Sequence, residues 1–117
     1  MSTQQQLNEQ STAIRQAIGA SFHWTYDVRF DAILSEYSID EHDSVQGILK
    51  NHFSDCWDQI TIDSAPEETR ADAGTWSQLR DGQLLYTTMF GDQPPLMATI
   101  WPWGDGKTVS LRIKARD

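Results

Sequence analysis

Residues 96–115 read LMATIWPWGDGKTVSLRIKA, and the fold turns on how the two halves of this stretch pair. Asp105-Gly106 lies between two runs of alternating character, and Asp-Gly suits the positive φ values of a two-residue hairpin turn. A turn there sets Trp103 opposite Thr108, Trp101 opposite Ser110, Thr99 opposite Arg112 and Met97 opposite Lys114. On the other face, Pro102 meets Val109, Ile100 meets Leu111 and Ala98 meets Ile113. Side chains alternate with a period of two, so this register makes the second face wholly apolar and therefore the core.

The same logic extends upstream. Asp81-Gly82 is a second Asp-Gly pair, predicting strands over 75–80 and 83–90, with Leu79 opposite Leu84 and Trp76 opposite Thr87. A loop at 91–95, rich in proline that cannot donate to a ladder, joins them to 96–103 and 107–115. Joining Phe90 to Leu96 aligns the faces. One holds Leu79, Leu84, Tyr86, Phe90, Leu96, Ala98, Ile100, Val109, Leu111 and Ile113. Residues 57–62 are a candidate fifth strand, and 63–74 an acidic loop with one helical turn at Pro66-Glu67-Glu68.

Before this meander the period is helical. Leu7, Ile14, Ala17 and Ile18 form a thin stripe over 5–18 that stops at Gly19. Residues 22–30 alternate, yet Phe30, Ile33, Leu34 and Tyr37 stand at i, i+3, i+4 and i+7, so a helix is expected from about Asp27 to Tyr37. Asp43 or Ser44 is placed to cap a third helix with a stripe of Val45, Ile48, Leu49 and Phe53. The expectation is one α+β domain over 1–117, with residues 1–4 disordered. About three N-terminal helices precede a four- to five-stranded antiparallel meander and pack on one sheet face.

The remaining face carries Trp76, Leu85, Thr87, Met89, Met97, Thr99, Trp101, Trp103, Ser110, Arg112 and Lys114. Tryptophan and methionine beside hydroxyls and a guanidinium suit a contact surface. Trp76, Thr87, Met97, Thr99, Trp101, Trp103 and Arg112 are accordingly the candidate binding residues. The alternative is that another segment, such as 57–74, folds over them. A bare face of this kind predicts a homodimer, in which the patch covers itself.

The chain carries a net charge of −8, and residues 27–72 hold twelve acids against Arg29, Lys50 and Arg70, a net of −9. A field of that sign disfavours nucleic acid and steers basic partners or cationic ligands. No apolar run spans a bilayer, Met1 to Glu9 lack the apolar core of a signal peptide, and a single Cys56 excludes an internal disulfide, so a cytoplasmic protein is expected. Gly106-Lys107-Thr108 lacks the upstream glycine and following helix of a phosphate-binding loop. His52 and Cys56 are two ligands and no metal site. Asp40-Glu41-His42-Asp43 lacks the glycine and distal glutamate of a calcium loop.

These features favour a small acidic binding protein without catalysis or cofactor, contacting a partner protein, a second copy or a small ligand through the tryptophan face. The alternative is a pocket enzyme or ligand binder. Its coarse element order resembles the cone-like plan of nuclear-transport-factor-2-like folds, which would imply helices closing one end of a curved sheet. His23 and Asp27 would then supply acid–base chemistry. A cavity lined by His23, Asp27 and the tryptophans would mark that alternative; a flat patch would mark binding.

Overall fold

The computed structural model describes residues 3–19, 22–89 and 95–116. Among them, six strands form one antiparallel sheet in the order β1-β2-β6-β5-β4-β3. The strands are β1 (Thr25–Asp27), β2 (Ala32–Ser38), β3 (Asp55–Trp57), β4 (Leu84–Thr87), β5 (Leu96–Pro102) and β6 (Thr108–Ala115). The α-helices described are α1 (Thr3–Gln10), α2 (Thr12–Ile18), α3 (His42–His52) and α4 (Glu67–Ala73). Phe90, expected on the core face, and loop residues 91–94 lie outside the described residues, as do residues 1 and 2.

The hairpin over 96–115 has the register its alternation demands. Met97 pairs with Lys114, Thr99 with Arg112, Ile100 with Leu111, Trp101 with Ser110 and Pro102 with Val109. Its connection is longer than the two-residue turn expected. Gly106 N–H donates to the Trp103 carbonyl at 3.3 Å, and only Gly106 adopts a positive φ, 70°. Asp105 completes the loop by accepting from the backbone N–H groups of Lys107 and Thr108 at 2.8 and 3.0 Å.

The expected helix over 27–37 is instead the second half of a hairpin. β2 pairs with β6, setting Ile33 against Ile113 and Tyr37 against Val109, and with β1 on its other side. β2 is an interior strand with apolar residues toward both faces: Ile33 and Tyr37 on one, Ala32 and Leu34 on the other. Two overlapping period-two patterns then imitate helical spacing. The β1–β2 turn uses no glycine. Asp27 accepts from the Arg29 N–H at 3.1 Å, and Asp31 takes the left-handed conformation at φ 50°.

Three further expectations change. Residues 75–80 are not a strand: Gly74–Ser77 is a 3-10 turn, and the Asp81-Gly82 signal serves a tight turn closed by Gln83 N–H to the Arg80 carbonyl at 3.0 Å. β4 pairs with β3 rather than with 75–80, through Asp55–Thr87, Cys56–Tyr86 and Trp57–Leu85. The helix over 5–18 divides at Ser11. There the Thr12 hydroxyl donates to the Asn8 carbonyl at 2.9 Å, and Arg15 donates to that carbonyl and to the Ser11 hydroxyl. Such side-chain bonds compete with the helical backbone ladder. Neither Asp43 nor Ser44 caps α3; the chain enters through a 3-10 turn, Ile39–Glu41, in which the Ser38 hydroxyl accepts from the Asp40 N–H.

Both faces of the sheet are covered, where cover on one face was expected. On the first, Leu7, Ile14, Val45, Leu49 and Phe53 from α1 to α3 pack on Ile33, Tyr86, Ala98, Ile100, Leu111 and Ile113. On the second, Ile62, Ala65, Ala73 and Trp76 close over Ala32, Leu85 and Met97, with Leu79 beside them. The segment 57–79 is thus the lid of the tryptophan face. Arg116 ties it down, donating to Asp72 at 3.1 Å, to the Thr69 hydroxyl at 2.6 Å and to the Thr88 carbonyl. Lys114 donates to the Ala73 carbonyl at 3.2 Å, a cation at the C-terminus of α4 where the helix dipole favours it.

Candidate functional site

The second sheet face is built in rows that the pairings fix. One row runs Leu34, Arg112, Thr99, Leu85, Trp57; the next runs Glu36, Ser110, Trp101; the last runs Ser38, Thr108, with Trp103 donating its N–H to the Thr108 carbonyl at 2.8 Å. The lid covers the first of these rows, reaches Trp101 in the second through Trp76, and stops. The face therefore has a covered half and an open half.

In the covered half, Arg112 is the centre. Its Nε donates to Asp27 at 3.1 Å, and its guanidinium lies 4.3 Å from the Trp101 ring centroid and 5.5 Å from that of Phe30. Phe30 and Trp101 meet edge-on at 5.6 Å, and Trp76 meets Trp101 edge-on at 6.4 Å. Lys114 lies 4.4 Å over the Trp76 ring. A guanidinium between aromatic faces with a carboxylate on its edge is a favourable, nearly dry ion pair. Chemically this cluster is closed: it is an aromatic box filled by the protein's own cations.

Of the seven residues singled out from sequence, Thr87, Met97, Thr99 and Arg112 face the lid and are buried, and Trp76 belongs to the lid itself rather than to a strand opposite Thr87. Thr87 accepts from the Trp57 indole at 3.1 Å, and Thr99 donates to the Leu84 carbonyl at 2.9 Å. Trp76 and Met97 are not available to a second copy, so the bare face from which a homodimer was expected is largely covered. Trp101 sits at the border, half-buried. Trp103 is 47% exposed, and its indole N–H is already committed to Ser110 at 2.6 Å.

Sequence reasoning missed Phe30 and Glu36, and named Asp27 only as an acid–base residue beside His23. Phe30 and Asp27 enter through the β1–β2 turn, hidden by the helical reading of 27–37. Glu36 stands directly across from Ser110, exposed and without a hydrogen-bond or ion-pair partner among the described residues. Its signal was the alternation of 32–38, which placed it on the tryptophan face once read as strand.

His23 and Asp27 do not form an acid–base pair: Asp27 serves Arg112 and the Arg29 amide, and His23 is exposed. A cavity of about 500 Å³ at the sheet end is lined by Gln6, Leu7, Gln10, Phe30, Asp31 and Arg116, among others, and by neither His23, Asp27 nor a tryptophan. His52 ends α3 whereas Cys56 lies in β3, and among the described residues no three His, Cys, Asp or Glu side chains are grouped to hold a metal. Partial burial pushes the Cys56 thiol up, away from a reactive thiolate. No helix among the described residues is long and apolar enough to cross a membrane. No family model matches the chain, and comparison with curated proteins and with solved structures likewise gives no significant match.

Proposed function

We propose that the chain is a non-catalytic protein-interaction module that binds its partner across the open half of the second sheet face, with Trp103 at its centre. The observation that carries this reading is the contrast along one face. Three rows of the same sheet bear tryptophan, but the lid ends short of Trp103, leaving a large aromatic in water with its polar atom satisfied. A tryptophan so fixed loses little freedom on binding, and tryptophans of this kind carry a disproportionate share of interface energy. The Leu34 side chain, half-buried beside Arg112, extends the apolar ground, and Ile39, 38% exposed, continues it past the end of β2. The rigid backing of β5, β6 and β2 supplies the preorganisation a contact surface needs.

The test is site-specific photocrosslinking from position 103 in the native host, identification of the adduct, and titration of the purified partner. Trp103→Ser is expected to weaken binding about tenfold or more, or at least 1.4 kcal/mol, with an unchanged circular dichroism spectrum. Equal binding by wild type and Trp103→Ser would remove the open half as the contact surface.

A further inference from the structure

We infer that the open half of this face receives an arginine side chain of a basic partner, seated between Trp103 and Glu36; this rests on the interaction reading above. The argument begins with what the covered half already does. There the sheet holds a guanidinium by stacking it on Trp101 and pairing it with Asp27. Two residues further along the chain, just past the end of β5, the aromatic recurs as Trp103, and two residues back along β6 the position of Arg112 is taken by Ser110. A carboxylate stands here as well, but from a nearer strand: Asp27 reaches Arg112 from β1 across β2, whereas Glu36, on β2 itself, pairs with Ser110 directly. The second copy of the arrangement therefore has its aromatic and its carboxylate but no cation of its own. Neighbouring strands lie about 4.8 Å apart, and the Trp103 indole reaches over Ser110, the cross-strand partner of Glu36, so an aromatic ring and a carboxylate stand side by side on this face.

The charge nearby has the matching sign. Ile39 N–H donates to the Lys107 carbonyl at 2.8 Å, and this bond brings the turn bearing Asp40 and Glu41 alongside the β5–β6 loop. Asp40, Glu41 and Asp105 thus form an acidic rim at the sheet end beyond Glu36, against Lys107 on the loop, while the turn itself runs on into α3, which covers the first face. The whole chain carries a net −8. An acidic rim raises the local concentration of basic ligands and speeds encounter. Arginine fits better than lysine because its planar guanidinium can stack on an indole while its edge meets a carboxylate. Lysine offers a point charge on a flexible stem.

The experiment uses the intact chain and two short synthetic peptides, one alternating threonine with arginine and one alternating threonine with glutamate. Binding is read by tryptophan fluorescence and by backbone amide shifts at Trp103 and Ser110. The arginine peptide is expected to move those amides, and Glu36→Lys and Trp103→Ser are each expected to weaken it about tenfold. Glu67→Lys, an equal charge change on the exposed start of α4, is expected to weaken it far less, which separates a site from a general field. Equal losses for Glu36→Lys and Glu67→Lys, or no perturbation near Ser110, would overturn the arginine site. A partner crosslinked from position 103 that proves acidic at its contact would overturn it as well, while leaving the interaction reading intact.

Discussion

Asp27 and Arg112, eighty-five positions apart in the chain, meet in a nearly dry ion pair at 3.1 Å, with side-chain exposures of 13% and 10%. The pair joins the edge strand β1 to the central strand β6 across β2, and the aromatic faces of Trp101 and Phe30 complete the guanidinium's surroundings. It locks the β1–β2 hairpin to the sheet and places Phe30 under the lid.

Removing one partner of such a pair leaves the other charge buried and unpaired. Asp27→Ala is therefore expected to cost about 3–5 kcal/mol in urea unfolding. Arg112→Met keeps the stacking volume and loses the charge. The double variant is expected to cost less than the two single losses together, since neither charge is then stranded. Additive losses would show that the two residues act separately.

The apolar face offers a simpler check. Ile100 is fully buried, pairs with Leu111 on one side and Leu84 on the other, and lies under the helices. Ile100→Ala is expected to cost about 2–5 kcal/mol, measured by denaturant melts. A loss well below one kcal/mol would mean the surrounding side chains collapse into the space.

What was legible in the sequence was local. The register of 96–115 could be read because Ile100, Leu111 and Ile113 alternate strictly with Trp101, Ser110 and Arg112, so one pairing alone gives an apolar face. The same alternation was masked in 30–37, where a strand buried on both sides spaces its apolar residues like a helix. Asp31 hid the turn as well, because a non-glycine residue at φ 50° leaves no Gly or Asn-Gly signature. The open half was hidden for a different reason. Whether Trp101 and Trp103 share one environment depends on where the 57–79 lid ends, and that is fixed by contacts from Arg116 and Lys114, about forty positions further along the chain.

Alkaline stability follows from two buried phenols. Burial pushes the Tyr37 hydroxyl well above its ordinary value, and burial with the neighbouring Cys56 does the same for Tyr86. A folded value above the unfolded one means the unfolded chain releases the proton first. Stability is then complete below about pH 10, the unfolded value, and falls as pH rises beyond it. Tyr37 also bonds His42 Nδ1 at 3.0 Å. Tyr37→Phe is expected to destabilise the protein at neutral pH and to flatten its decline above pH 10, read by urea unfolding across that range. A wild-type curve flat to pH 11 would contradict the assigned burial.

Acid stability rests in part on the loop that presents Trp103. Asp105 accepts from the Lys107 and Thr108 amides and, at 3.1 Å, from the Thr108 hydroxyl, and these bonds hold its carboxyl below the ordinary carboxylate range. Asp58 is lowered in the same way by the Thr61 and Ile60 amides. A depressed folded value gives stability that is present above the unfolded carboxylate range and lost as pH falls through the folded one. The gap in stability between wild type and Asp105→Ala is therefore expected to be widest near neutrality and to close as pH falls below about 4, the ordinary carboxylate value. Asp105→Asn keeps an acceptor oxygen and loses the charge, so it is expected to fall between the two at neutral pH and to lack the acid dependence. Because the Trp103 N–H donates to the Thr108 carbonyl, loosening this loop is also expected to shift Trp103 fluorescence in step with the loss. A pH-independent gap would show that the Asp105 carboxylate charge contributes nothing to holding the hairpin end.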